Sequence, residues 1–170
     1  MGMFDWLTGT KRPGTGVQPR PVHEVHEALL TVNDPAAPYL VRDGSAESVD
    51  LVAEWRIVDA DWYTFFAKVG LTRTFKVLMR YDPQQCEVRS VDEEWQVEWK
   101  SGVPELSRSV EKHRGQKREV SFQKTFAFNK KGEYDKVVDY KFSTGELKNP
   151  LQDAVIGCGW TWRAVSFGKL

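Results

Sequence analysis

Cysteine and histidine are both scarce in this 170-residue chain, which has two cysteines and three histidines. Cys86 and Cys158 lie too far apart in the sequence for a CxxC redox pair or a zinc knuckle, and two cysteines make a poor disulfide framework. We therefore expect a reducing environment and a cytoplasmic location for this protein.

Long apolar runs and an excess of charge of one sign are also absent. No stretch approaches the ~18 apolar residues of a membrane-spanning helix, and no basic segment followed by an apolar one marks a secretion signal. The 24 basic and 24 acidic residues give a net charge of zero, which argues against a globally basic nucleic-acid-binding protein. The sequence predicts a soluble protein with no transmembrane segment and no nucleic-acid partner.

The short motifs that carry known chemistries are missing as well. The sequence has no GxSxG elbow, no P-loop, no GxGxxG after a strand and no HExxH. His23 and His26 have the spacing of a metal-binding pair on one helix face, but no further ligands can be named, and a partly buried structural His26 is the preferred interpretation. Neither cysteine has a local catalytic signature, so we interpret both as packing residues and predict no catalytic residue, metal or cofactor.

Aromatic side chains are what the chain has in quantity, with seven Trp, nine Phe and five Tyr. Rings of this bulk usually fill a core, and they also line ligand cavities. The length and the 41% hydrophobic and 28% charged residues are those of one globular domain. We place this domain at residues 22–170.

Residues 1–21 are predicted to form an extended tail or linker ahead of the domain. Gly, Pro and Thr are frequent between Thr8 and Pro21, which is typical of linkers. Phe4 and Trp6, at the start of the tail, need burial. They either cover part of the same domain's core or contact a protein partner or a membrane surface.

Helical spacing of apolar residues predicts three helices, which span Val22–Val32, Trp62–Val69 and a shorter segment from Asn149–Pro150 to Gly157. We expect Asp59 or Asp61 to cap the second helix and Gly70 to end it. Alternation of apolar residues predicts seven or eight strands, at Tyr39–Arg42, Leu51–Val58, Phe75–Tyr81, Cys86–Trp99, Leu106–Val110, Glu119–Phe128, Val138–Phe142 and Trp160–Val165.

Turn signals at Asp82–Gln85 and Asn129–Gly132 predict hairpins, and hairpins predict an antiparallel sheet. Val88 and Val91 are three positions apart, so regular alternation would place them on opposite faces of a strand. We therefore expect a bulge or a strand break between them. The predicted fold is a single α+β domain, in which the first two helices pack on one side of a curved antiparallel sheet of seven or eight strands. A closed β-barrel is the alternative.

Two charged residues occupy positions where alternation predicts apolar side chains. Lys124 shares a row with Phe126, and Glu93 shares a row with Trp95 and Trp99. Either Lys124 and Glu93 form a pair at the polar end of a pocket lined by these rings, or the Lys124 stem covers apolar surface while its head reaches water. The acidic run Asp92–Glu93–Glu94 is by itself typical of a solvated face.

A basic run that includes Lys112, His113, Arg114, Lys117 and Arg118 can follow a phosphate backbone. The run holds no aromatic residue, and the negative charges of Glu111 and Glu119 beside it weaken its positive electrostatic potential. We therefore prefer to interpret it as a hairpin tip that its charges keep soluble.

Three function classes remain after these exclusions. We expect a non-enzymatic binding module with an aromatic-lined pocket for a small or apolar ligand. The alternatives are an enzyme that acts on a small or lipid-like substrate through residues scattered in sequence, and a protein–protein adaptor that uses Phe4 and Trp6. The stretches Phe4–Gly9, Leu51–Arg56 and Gly159–Arg163 resemble stretches of conserved-hypothetical bacterial proteins, a resemblance that implies no activity, cofactor or functional residue.

Overall fold

A mixed, mostly antiparallel β-sheet organises the part of the chain that this computed structural model describes, which is residues 9–108, 114–115, 127–128, 134–135, 144–165 and 170. Five strands are neighbours in chain order, namely β1 (Tyr39–Asp43), β2 (Leu51–Trp55), β3 (Arg73–Asp82), β4 (Glu87–Lys100) and β5 (Val103–Arg108). Two more segments pair with β4, namely β6 (Arg114–Gly115) and β9 (Thr161–Ala164). A separate pair consists of β7 (Ala127–Phe128) and β8 (Tyr134–Asp135).

The α+β class and the largely antiparallel sheet are confirmed, but the details differ from the prediction. Six strands of the sheet have four residues or more, so the count of seven or eight is not confirmed. Strand β9 runs parallel to β4, because it follows a helix rather than a hairpin turn. Within the described residues the sheet is not closed, so this part of the chain is not the alternative barrel. Most of the predicted strands at 119–128 and 138–142 lies outside the described residues.

Strand β4 is the longest of the described strands, and it pairs along both edges. One edge pairs with β3, and the other pairs in turn with β9, β6 and β5. The register with β3 is continuous from Glu87 to Gln96, so the predicted bulge or break is wrong. Val88 and Val91 point to opposite faces because they lie three residues apart on an uninterrupted strand.

Three α-helices of the described residues pack on one face of the sheet. They are α1 (Val22–Leu30), α2 (Tyr63–Val69) and α3 (Thr144–Gly157). All three contribute to one hydrophobic cluster, the main cluster, with side chains that include Val25, Leu29, Phe66, Leu147, Leu151, Val155, Phe75, Val77, Met79 and Trp162. A small cluster of Val52, Leu78, Val91 and Val165 lies on the opposite face.

Two helix starts differ from the prediction. The residue before α2 is Trp62, and Asp59 instead accepts a hydrogen bond from the backbone N–H of Asp61 at 2.9 Å. Helix α3 begins at Thr144, so Pro150 lies inside it rather than at its first position. Proline removes one helical hydrogen bond, and burial of the leucines on either side, at positions 147 and 151, offsets this loss.

A proline also lies inside a strand. Strand β5 begins at Val103 rather than at the predicted Leu106, and Pro104 pairs with Trp99. The strand can begin this early because Ser101 and Gly102 both have positive φ, of 52° and 78°, as a two-residue hairpin turn requires.

The described part of the N-terminal tail lies along the segment that follows α3. Lys11 exchanges two backbone hydrogen bonds with Trp162, of 2.9 and 2.8 Å, and the N–H of Arg20 donates to the carbonyl of Cys158 at 2.9 Å. The indole N–H of Trp160 donates to the carbonyl of Arg20 at 2.8 Å. The tail is therefore attached to the domain from Lys11 onward. The predicted burial of Phe4 and Trp6 concerns residues outside the described ones.

The side chain of Asn33 occupies the outer edge of β1. Its Nδ2 donates to the carbonyl of Val41 at 2.8 Å, and its Oδ1 accepts from the N–H of Val41 at 2.7 Å. Because β2 pairs with the inner edge of β1, this amide occupies the position that a further strand would take.

We expect Asn33→Leu to lower the free energy of unfolding by about 2 kcal/mol, because Val41 loses two partly buried hydrogen bonds. We also expect this variant to self-associate through the freed edge of β1. Urea unfolding and sedimentation velocity measure the two effects. Glu27→Leu, which adds a leucine at an exposed position of α1, is the control. The same sedimentation coefficient and the same stability in both variants would contradict this role of Asn33.

Candidate functional site

A cleft opens between α1 and the turn that joins β3 to β4. Its volume is about 420 Å³, and it is lined by Val22, His23, His26, Asp50, Tyr81 and Pro83. Helix α1 supplies the first three residues, Asp50 directly precedes β2, and Tyr81 lies near the end of β3.

Tyr81 is held in the cleft wall from three sides. Its Oη lies 2.9 Å from His26 Nδ1, and its backbone N–H donates to Asp50 Oδ2 at 2.8 Å. The rings of Tyr81 and Trp160 meet edge to face, with centroids 6.4 Å apart. The buried Val25 precedes His26 on α1 and anchors the helix to the main cluster. The polar groups of the cleft are therefore fixed by the fold.

The electrostatics of the cleft keep the phenol of Tyr81 neutral. Burial, with a smaller contribution from the negative charge of Asp50, raises the pKa of Tyr81 far above its ordinary value. At neutral pH the phenol is therefore a hydrogen-bonding partner of His26 and not a tyrosinate base.

The histidine pair is divided between two environments. His26 is partly buried and bonded to Tyr81, as the structural interpretation expects, whereas His23 is exposed at the mouth of the cleft. Across the described ranges, no three His, Cys, Asp or Glu side chains come together as a metal site. The spacing of the two histidines did single out this helix face, although for a different chemistry.

The pocket predicted around Glu93 is only partly described, since Lys124 and Phe126 lie outside the described residues. Glu93 is 2% exposed and is therefore buried as its parity predicts. Trp95, two residues along β4, points to the same side of the strand. Trp99 packs against the main cluster, and its indole N–H donates to the carbonyl of Leu71 at 2.7 Å.

The sequence did not indicate that another lysine lies beside Glu93. The register pairs Lys76 of β3 directly with Glu93. Its Nζ lies 4.3 Å from the ring centroid of Trp95 and 3.4 Å from Glu54 Oε2. Residue spacing alone does not show which strands are neighbours, so no signal identified Lys76. The pairing of Glu93 with Lys124 stays a prediction.

The solvated face predicted for Asp92–Glu93–Glu94 is wrong for its first two residues. Asp92 is 0% exposed and forms an ion pair with Lys148 of α3. Asp92 lies opposite Val77 of the main cluster, on the side that α3 covers, whereas Glu93 lies on the other side. Both faces of β4 are therefore covered at this point.

The basic run is also mostly outside the described residues, which exclude Lys112, His113, Lys117 and Arg118. Arg114 belongs to β6, where its backbone position pairs with that of Glu93. The interpretation of this run as a hairpin tip, and its alternative as a polyanion site, both stay predictions.

Both cysteines are free thiols. Cys158 is buried in the main cluster, and this burial raises the pKa of its thiol, which disfavours the nucleophilic thiolate. Cys86 packs against the same cluster, and its Sγ lies 3.6 Å from the carbonyl of Pro83. These contacts agree with packing roles.

None of the helices in the described ranges has the length and apolar character needed to cross a membrane. No protein-family model, curated protein or solved structure matches this chain.

Proposed function

We propose that this chain is a binding module and that it takes a small molecule into the cleft beside Tyr81. One observation carries this proposal: along one cleft wall, Tyr81 contacts His26 through its phenol and Asp50 through its backbone N–H, which donates to the carboxylate. A few fixed polar groups beside apolar surface are typical of small-molecule sites, whose volumes are about 300–1,000 Å³.

The lining indicates the chemistry of the ligand. Tyr81 offers an aromatic surface, and Val22 and Pro83 add apolar contacts. Asp50 places a carboxylate beside them, with its Oδ2 on the backbone of Tyr81. A flat ligand with an apolar ring and a cationic or hydrogen-donating end matches this combination.

The same lining favours binding over catalysis. None of the six residues is a Ser, Thr, Cys or Lys that could serve as a nucleophile, and Tyr81 stays neutral. The adaptor alternative depends on Phe4 and Trp6, which lie outside the described residues.

Benzamidine, a planar ring with a cationic amidine, is a suitable probe for this cleft. We expect it to bind with a Kd on the order of 1 mM, as small fragments do, and to shift the ring resonances of His26 and Tyr81 in NMR spectra. Benzoate, with the same ring and the opposite charge, should bind at least about tenfold more weakly, because Asp50 repels it.

The variant Asp50→Asn tests whether the charge of Asp50 causes the preference for benzamidine. This variant keeps an oxygen to accept the hydrogen bond from Tyr81 but loses the charge, so we expect benzamidine affinity to fall about fivefold or more. Asp153→Asn removes an exposed carboxylate from α3 and serves as the control with unchanged affinity. Equal binding of benzoate, or unchanged benzamidine affinity in Asp50→Asn, would refute the proposal.

A further inference from the structure

Three arginines lie side by side across the sheet face opposite the main cluster. The register pairs Arg80 of β3 with Arg89 of β4, and Arg89 with Arg163 of β9. Directly paired residues point to the same side of a sheet, and neighbouring strands lie about 4.8 Å apart. The arginine row therefore brings three positive side chains within about 10 Å of one another.

One buried carboxylate contacts two members of this row. Glu87 Oε1 lies 3.1 Å from Arg89 Nε, and Glu87 Oε2 lies 2.5 Å from Arg163 Nε. Arg80 donates instead to the backbone oxygens of Leu170, at 3.1 Å, and Ser48. Arg89 and Arg163 therefore both contact the carboxylate of Glu87, whereas Arg80 contacts backbone oxygens.

Paired like charges on neighbouring strands are destabilising unless something offsets them. The row remains accessible, because the side chains of Arg89 and Arg163 are each 37% exposed and Arg80 is exposed. The Nε of Arg163 donates to Glu87. Within the described residues, the two terminal nitrogens of the Arg163 guanidinium contact no protein acceptor. The arrangement leaves oriented donors at the surface.

We propose that the arginine row binds a phosphate group. A phosphate dianion has the charge to offset two arginines and enough oxygens to accept from several guanidinium groups at once. The site is distinct from the Tyr81 cleft, because Arg80 and Tyr81 are consecutive in β3 and point to opposite faces.

Titration at constant ionic strength with inorganic phosphate and with phenyl phosphate tests the site, with arginine Nε–H resonances and calorimetry as readouts. We expect saturable binding of at least one of the two. Tighter binding of phosphate alone identifies a free-anion site, whereas tighter binding of phenyl phosphate identifies a site for the phosphate of an organic ester. Absence of saturation with both would overturn the proposal.

Variants test whether phosphate binds at the arginine row. Arg80→Gln changes an exposed side chain, and we expect it to weaken binding about tenfold. Arg163→Lys keeps a cation beside the buried Glu87, so the chain still folds, but it loses the planar fork and should weaken binding severalfold. Arg20→Gln makes the same charge change as Arg80→Gln at a residue that lies just before α1 and outside the row, and it should bind phosphate like the parent. Equal weakening in Arg20→Gln and Arg80→Gln would show a general charge effect and refute the site.

Discussion

Gly159→Ala is expected to lower the free energy of unfolding by about 3 kcal/mol. Gly159 has a φ of 74°, which costs a residue with a side chain about 1–2 kcal/mol. A Cβ at this position would lie 2.6 Å from the carbonyl oxygen of Gln18 and 2.9 Å from its carbon. These are backbone atoms of the attached tail, so they cannot rotate away as a side chain can, and the tail must shift.

Gly157→Ala provides a matched control two residues away. A Cβ at Gly157 would meet nothing within 4 Å, and this residue is the last of α3. Its replacement should leave stability unchanged or slightly raised. Urea unfolding and thermal melting compare the two variants, and Gly159→Ala should melt about 6–12 °C lower than the parent. Equal melting temperatures would show that the close approach of Gln18 does not constrain this glycine.

Lys148→Met is expected to cost about 3–5 kcal/mol of stability, because it removes the ion pair between Lys148 and the buried carboxylate of Asp92. The side chain of Asp92 is 0% exposed and that of Lys148 is 9% exposed, so water cannot replace the lost contact. Lys100→Met, at an exposed pair with Glu105, should change stability by only about 0.5 kcal/mol.

The double variant Asp92→Asn with Lys148→Met removes both charges. We expect it to regain at least about 2 kcal/mol relative to Lys148→Met, because the buried group that has lost its contact with Lys148 no longer carries a charge. A double-mutant cycle measured by urea unfolding gives this coupling energy. Additive effects of the two substitutions would contradict a direct energetic link between β4 and α3 through this pair.

Local sequence patterns predicted helices and strands correctly where one side of the element faces the core. The helical spacing of Val25 and Leu29 predicted α1, and the alternation from Phe75 to Met79 predicted β3. The turn after Asp82 was predicted from its own residues. In each case the signal lies within about ten consecutive residues.

Alternation failed where both sides of a strand are covered. Asp92 and Glu93 are consecutive and both buried, one toward α3 and the other toward Lys76. A two-residue period distinguishes core from solvent only when one face is solvated, so it could not locate these charges. The same reason explains why Val91 was mistaken for the sign of a bulge.

The candidate sites depend on register, which local patterns do not contain. His26 and Tyr81 are 55 positions apart, and their contact follows from the packing of α1 against the sheet. Arg80, Arg89 and Arg163 form a row only because β9 aligns in parallel beside β4. The histidine spacing was visible in the sequence, but its phenol partner was not.

The parallel pairing of β9 with β4 also sets an order of folding. The hairpin of β3 and β4 closes across a short turn. The pairing of Glu87 with Thr161 forms only after Thr161 has been synthesised, 74 positions later in the chain. Until then the edge at Glu87–Ser90 has no strand beside it and can pair with another chain. On a ribosome, the hairpin therefore keeps this edge open until β9 has been made.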